Sequence, residues 1–300
     1  MKNKIDAGFT AEAYYDGQAD NYDEASYYTG KTGYYPANWY RLKLTKKIID
    51  KQLSPRSTVL DAGCGTGEIL VHLLRKGHRA FGCDLSQGMI DVSQRKIAKL
   101  GLKAGLVKTS LEDLRAYKTK SFDAVFAMGV FPYIREDAES ACYAEILRVL
   151  RPGGLFVSAH ENELFDVFTF NKYTLRFFER NIYPLIRQVD ADVPLKKLKS
   201  RLATLVTNPK APATIDALKA PRDIIFTKPE NPLVYGDKLK TYGFELESRA
   251  YYHFHALPPL LRNDDRRLMG ISQKMEGRFS TAWQGMFLAS TFVATARKKG

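Results

Sequence analysis

The sequence predicts an α/β protein in which helices cover both faces of a parallel sheet. Three observations lead there. Between residues 57 and 160, apolar runs of strand length alternate with helical patterns five times, the arrangement that right-handed crossovers wind into parallel strands. The first run, "VLDAGCGTGEIL" at residues 59–70, ends in three glycines at alternate positions, which marks a tight strand-to-helix turn. After the fifth strand, about 75 residues from Glu161 to Tyr235 precede the next helix, where such connections usually take about 2 to 6. A separate unit is therefore inserted into the wiring of the sheet.

Residues 1–56 form an N-terminal aromatic segment and a helix. Nine Tyr or Trp residues fall between Tyr14 and Tyr40, more than a short arm needs for docking, and "RLKLTKKIID" follows with helical spacing. The strands of residues 57–160 end, in turn, at Asp61, at Asp84 in "RAFGCDLS", at Thr109 and Ser110 in "GLVKTSLEDL", at Met128 and Gly129 in "SFDAVFAMGVFPYI", and at His160 after a Pro-Gly-Gly turn. The insertion 161–235 is rich in Phe and Tyr in its first half and in Pro and Lys in its second, which reads as a largely helical cap. Residues 236–300 return to the sheet, with "FELESRAYYHFHAL" as a sixth strand and "GMFLASTFVATARKK" as a seventh. A second insertion, 256–285, lies between these two strands.

The glycine turn excludes two ligands. A phosphate loop needs Lys and then Ser or Thr after its last glycine, whereas Gly67 is followed by Glu68 and Ile69. A dinucleotide turn needs glycine at its sixth place, and counted from Gly63 that place is Glu68, an anion in the first turn of the helix where a pyrophosphate would lie. Asp61, directly before the glycines, suits a ligand that carries positive charge instead. Asp61 with Gly63, Gly65 and Gly67 after an apolar strand resembles the first motif of the class I S-adenosylmethionine-dependent methyltransferases, whose ligand bears an ammonium and a sulfonium. Asp84, "AMG" and "LRPGG" resemble later motifs of that family in the same order.

The resemblance implies a Rossmann-like seven-stranded sheet, six strands parallel and one antiparallel, with the seventh strand between the fifth and sixth. It implies S-adenosylmethionine as cofactor. Asp84 would hold the ribose hydroxyls, Leu85 follows it, and Met89 would stack on adenine. Leu111 would lend its backbone to the adenine, and Ser110 stands where many relatives place an Asp for the adenine amino group. Met128 closes the fourth strand beside the cofactor, and Tyr22 of the aromatic segment would form part of a lid over it. The cofactor set is therefore Tyr22, Asp61, Gly63, Gly65, Gly67, Asp84, Leu85, Met89, Ser110, Leu111 and Met128, with no metal.

Charge and composition limit the acceptor. A net charge of +13 is spread along the chain, the run "PLKKLKSR" at 194–201 being its densest part, and no nucleic-acid module signature accompanies it. The expected partner is a small molecule, anionic where the basic residues would steer it, and not nucleic acid. No run reaches the 18 or more apolar residues of a membrane span, the N-terminus lacks a secretory signal, and three cysteines without metal spacing read as reduced thiols, so a cytoplasmic location is expected.

An alcohol acceptor would need a base, and histidine is the usual one. His160, at the end of the fifth strand, and His255, at the end of the sixth, are the candidates. An acceptor that is already ionised would need neither. The absence of an Asn/Asp-Pro-Pro-Tyr motif after the fourth strand points to oxygen over a planar nitrogen. The reading is an O-methyltransferase of a small or medium-sized metabolite, such as a sugar, a glycolipid precursor or a natural-product intermediate. An RNA methyltransferase, a small-molecule N-methyltransferase and a cofactor-binding protein without catalysis stay open beside it.

Overall fold

The structure, a computed structural model, describes residues 10–27, 36–189, 226–259 and 266–299, together with positions 196, 199, 200, 202 and 203. The second half of the expected cap, residues 204–225, and most of the basic run 194–201 lie outside the described residues.

Seven strands form one sheet: β1 (Thr58–Ala62), β2 (Arg79–Asp84), β3 (Gly105–Lys108), β4 (Phe122–Met128), β5 (Leu150–Glu161), β6 (Phe244–Phe254) and β7 (Ala289–Lys298). Their order is β3-β2-β1-β4-β5-β7-β6, and β7 runs antiparallel to both of its neighbours while the other pairings are parallel. This is the expected seven-stranded arrangement. The strand order reverses between β1 and β4, and such a switch point opens a crevice at the carboxyl ends of the strands. β1 and β4 read as nearly continuous apolar runs because helices bury both of their faces.

Ahead of the sheet come α1 (Ala11–Asp16), α2 (Tyr22–Tyr27) and α3 (Ala37–Gln52). The sheet is wound by α4 (Glu68–Arg75), α5 (Gln87–Lys99) and α6 (Glu136–Val149). The described part of the cap is helical, as its spacing predicts: α7 (Glu163–Phe168), α8 (Lys172–Phe177) and α9 (Tyr183–Val189). The chain then returns through residues 226–231 to α10 (Tyr235–Thr241), and α11 (Arg266–Phe279) and α12 (Gly285–Leu288) connect β6 to β7. The segment "GMFL", expected as strand, is the short helix α12, so β7 begins only at Ala289.

Local chemistry fixes the strand ends. Ser86 caps α5 by accepting from the Met89 N–H, so the chain turns into a helix directly after Asp84. Asn162 caps α7 through the Leu164 N–H, and its amide donates to the carbonyls of Met286 and Ala289 at 2.8 Å each. One buried side chain thereby ties the end of β5 to the entry of β7. Behind it, Phe292 on β7 is fully buried, stacked on the His160 ring and packed against Tyr235. Phe292→Ala should cost about 3–5 kcal/mol, because the ring leaves a cavity that its neighbours only partly fill. The urea midpoint checks this, with an unchanged m-value expected.

Candidate active site

A cavity of about 500 Å³ opens at the carboxyl ends of β1, β2 and β4, beneath α1 and α2. Its floor is the glycine turn. Gly63 and Gly65 adopt left-handed backbone, which only glycine takes without strain. A Cβ on Gly63 would lie 2.2 Å from the Val130 side chain, while one on Gly65 would meet nothing within 4 Å. Gly65 thus leaves its backbone open to the cavity. Gly67 does a different job from the one its place in the motif suggests. It is absent from the cavity wall, and a Cβ there would lie 2.4 Å from the Ser93 hydroxyl, so it lets α4 pack against α5.

Asp84 stands at the wall with its carboxylate held by the backbone. The Gly65 N–H donates to one oxygen at 2.9 Å and the Ser86 N–H to the other at 3.0 Å. Burial pushes its pKa up, and these amides pull against that shift. Each oxygen keeps acceptor capacity for the paired hydroxyls of a ribose. Leu85, Met89, Ser110, Leu111 and Met128 all line the same cavity. Tyr22 does so from above, its hydroxyl accepting from the Asn38 amide at 3.4 Å.

Asp61 lies underneath, fully buried, and neither of its carboxylate oxygens has a hydrogen-bond partner among the described residues. Burial drives its pKa well up, the charge of Asp84 adds to this, and Arg41 opposes it. A buried carboxylate without a partner is costly, and a cationic ligand above the turn would relieve it.

Arg41 was not among the residues expected here. Its guanidinium, from the first turns of α3, reaches the cavity so closely that a Cβ on Gly129 would lie 2.3 Å from Nη1. No carboxylate lies within ion-pair distance among the described residues. Burial works against its charge, but the hydroxyls of Tyr252, Tyr22, Tyr27 and Tyr15 more than offset this and raise its pKa. Arg41 therefore stays a cation, with Tyr252 as a neutral hydrogen-bond partner. Such a group is suited to a ligand carboxylate. Tyr133, Tyr15, Tyr22 and Tyr27 curve around it, each ring edge-on to the next at 5.6, 6.1 and 6.0 Å.

The two candidate bases are elsewhere. His160 is buried on the side of β5 away from the cavity wall, between Phe131, Tyr235 and Phe292. Its Nε2 meets the Ser158 hydroxyl at 2.8 Å, and Ser158 continues to Tyr235 and Tyr143 in a closed polar chain. The expectation that His160 faces the acceptor is thus corrected: it fills the core behind the strand end. His255 is likewise absent from the cavity wall and packs against Phe165 and His253. Cys64, Cys83 and Cys142 border the cavity as free thiols, and burial pushes the Cys83 thiol up to about 12, so it remains protonated.

Asp84 and Arg41 on the wall and the buried Asp61 beside them give the site charged groups of both signs. The sheet matches that of Rossmann-like methyltransferases. The family described as methyltransferase domain matches residues 59–154 of this chain. A ubiquinone biosynthesis O-methyltransferase from Methylocella silvestris is 35% identical over 114 residues, which cover 37% of this chain and 43% of the relative. An S-adenosyl-L-methionine-dependent Diels-Alderase from Talaromyces variabilis is 30% identical over 136 residues, 41% of this chain and 46% of the relative. The chain thus spans about half the length of these curated relatives. The crystal structure of a SAM-dependent methyltransferase from Methanosarcina mazei superposes with a TM-score of 0.51 at 17% identity, covering 84% of this chain and 97% of that one. Among the described residues, no helix is long and apolar enough to cross a membrane.

His160 makes a testable pH dependence. Burial, with the charges of Lys238 and Lys228 adding, holds its pKa well below the ordinary value, so it is neutral in the fold. Once unfolded it takes up a proton near pH ~6.5, so the unfolded state binds more protons below that pH and stability falls as the pH drops. His160→Asn should lower stability overall yet show a shallower loss between about pH 6.5 and 5 in urea denaturation. Affinity for S-adenosylhomocysteine, measured by calorimetry, should stay unchanged.

Proposed function

We propose that the protein transfers a methyl group from S-adenosylmethionine to an oxygen of a small or medium-sized metabolite, and that this oxygen arrives already ionised. The observation that carries the cofactor half is the presence of the Asp84 carboxylate and the Arg41 guanidinium on the wall of one cavity, with Asp61 buried and unpartnered among the described residues beside them. Asp84 would hold the ribose hydroxyls, Met89, Ser110 and Leu111 the adenine, and Arg41 the methionyl carboxylate, with Asp61 balancing the ammonium. When bound, the cofactor supplies a methyl made electrophilic by its sulfonium. The protein's own part is to align the acceptor with that methyl and exclude water, since in-line positioning supplies much of the acceleration.

The acceptor half rests on which groups face the cavity. Both histidines are off its wall. Tyr15, Tyr27 and Tyr133 do line it, but burial raises the pKa of each, so they serve as neutral hydrogen-bond donors and not as bases. A carboxylate or an acidic enol or phenol would react without a base, and the similarity to an O-methyltransferase agrees with oxygen. The residues 161–235 are then the substrate cap, of which Phe226 lines the cavity. A second reading follows from the similarity to a Diels-Alderase that depends on the same cofactor: the ligand would be retained without methyl transfer.

Methyl-labelled S-adenosylmethionine, incubated with fractionated metabolite extracts, separates these readings. Label should appear in an anionic small molecule. Binding of the cofactor with no labelled product from any fraction would favour the second reading. Arg41→Met should weaken S-adenosylhomocysteine binding by about tenfold or more, since a charge-assisted bidentate contact contributes about 1.5–3 kcal/mol. Calorimetry showing equal affinity would remove Arg41 from the cofactor site.

A further inference from the structure

The N-terminal segment carries the pair Tyr-Asp twice, at Tyr15–Asp16 and Tyr22–Asp23. In both pairs the tyrosine lines the cavity, and in both the aspartate that follows grips the core beside a cofactor turn. Asp16 Oδ1 accepts from the Ser86 hydroxyl and from the Gly88 N–H at 2.9 Å. Ser86 is also the residue whose N–H holds the Asp84 carboxylate and whose oxygen caps α5. Fixing its hydroxyl proton on Asp16 leaves its lone pairs for the Met89 N–H, so one hydrogen-bonded unit runs from the lid to the ribose carboxylate. The seat is tight: a Cβ on Gly88 would lie 3.1 Å from Ala19 and 3.3 Å from Asp16 Oδ1.

Asp23 does the same at the other turn. Its Oδ1 accepts from the hydroxyl of Thr66, which is 2% exposed and lies between Gly65 and Gly67. Its Oδ2 accepts from Lys96, which also donates to Glu68 Oε1 at 2.8 Å, so the first residue of α4 is held as well. The hydrogen bonds from Ser86 and Gly88 lower the Asp16 pKa, consistent with an ionised acceptor at neutral pH. Asp20, between the two pairs, provides the contrast. It meets Arg95 at 2.9 Å on the outer surface, with side chains 83% and 66% exposed, and touches neither cofactor turn.

We propose that Asp16 and Asp23 are positioning residues for the cofactor: they join the lid to the Asp84–Ser86 turn and to the glycine turn, so that ligand release requires both joints to open. This rests on the cofactor reading of the cavity. The test is the rate at which S-adenosylhomocysteine leaves the full-length protein, followed by displacement with excess unlabelled ligand. Asp16→Ala and Asp23→Ala should each speed release by about tenfold, the loss of charge-assisted hydrogen bonds at a partly exposed joint. Asp16→Asn keeps an oxygen that can accept both bonds and should restore release to within about threefold of wild type. Asp20→Ala, which breaks an exposed pair of little strength, should release at the wild-type rate.

Thermal unfolding of the unliganded variants accompanies the rates, so that a misfolded alanine variant is recognised and the asparagine variant decides. Unchanged rates in Asp16→Ala and Asp23→Ala would overturn the proposal. Equal acceleration in Asp20→Ala would also overturn it, by showing that any loss of lid charge suffices. Failure of the wild-type protein to bind S-adenosylhomocysteine would overturn the cofactor reading itself, a result distinct from unchanged rates in a protein that does bind.

Discussion

Two backbone amides from different turns converge on one buried carboxylate. The Gly65 N–H and the Ser86 N–H both donate to Asp84, and the site depends on that convergence. It locks the glycine turn after β1 against the entry of α5 after β2, neighbours in the sheet whose register already aligns Asp84 with Lys108 on one side and Ala62 with Cys83 on the other. The two amides also keep a buried anion tolerable, since an ionised carboxylate out of water needs donors as well as space. With Asp84 fixed, the part of the cavity wall formed by Met89, Ser110 and Leu111 follows from helix and strand geometry. The cavity is thus preorganised by main-chain hydrogen bonds, which do not rearrange when a side chain changes rotamer.

With these acids stands the half-buried guanidinium of Arg41. Burial and the charge of Asp84 raise the tendency of Asp61 to take up a proton, while Arg41 opposes it. The separation of charge explains how a positively charged protein can present an acidic floor to a sulfonium ligand: the net charge is a surface property, and the cavity has its own. It also explains the ring of tyrosines. Their hydroxyls and ring edges surround Arg41 with neutral polar groups that compensate in part for lost water, yet leave it without a carboxylate partner among the described residues.

What could be read from the sequence was whatever backbone geometry dictates locally. A glycine turn after an apolar strand and an acid at the next strand end act within a few residues of their neighbours, and Gly63, Gly65 and Asp84 line the cavity, whereas the Pro-Gly-Gly turn at the start of β5 does not. His160 shows where that reading stops. Its place at the end of β5 identified the correct edge of the sheet but not the correct face. Side chains alternate along a strand, and Ser158, two residues earlier and also buried, marks the face that packs against Phe292 and Tyr235. Arg41 was illegible for a different reason: on a helix with many basic residues, nothing local distinguishes the one that meets Gly129 and Tyr252 from those facing solvent. Gly67 was assigned to the ligand by its spacing, while the α5 residue it meets, Ser93, lies 26 positions away.

The two covers of the cavity are fastened by different physics. The returning limb 226–231 is joined to the core by backbone bonds, Lys228 N–H to Pro132 at 2.8 Å and Glu230 N–H to Glu161 at 2.8 Å. Beneath it, Lys228 and Lys238 share the buried Glu139 at 3.0 and 2.9 Å, and Lys238 also holds Glu230. Opening that limb would take Lys228 and Glu230 out of this buried network and leave Glu139 with Lys238 alone, a cost that buried ion pairs carry when a partner is lost. The N-terminal lid is held at the rim by partly exposed carboxylates, whose individual contributions are smaller and screened by salt. Thermal opening therefore starts at α1 and α2, on the side where Tyr15 and Tyr22 overlie the cofactor turns. Phe226 on the returning limb lines the same cavity. The burial of Glu139 against the exposure of Asp16 makes the two fastenings unequal.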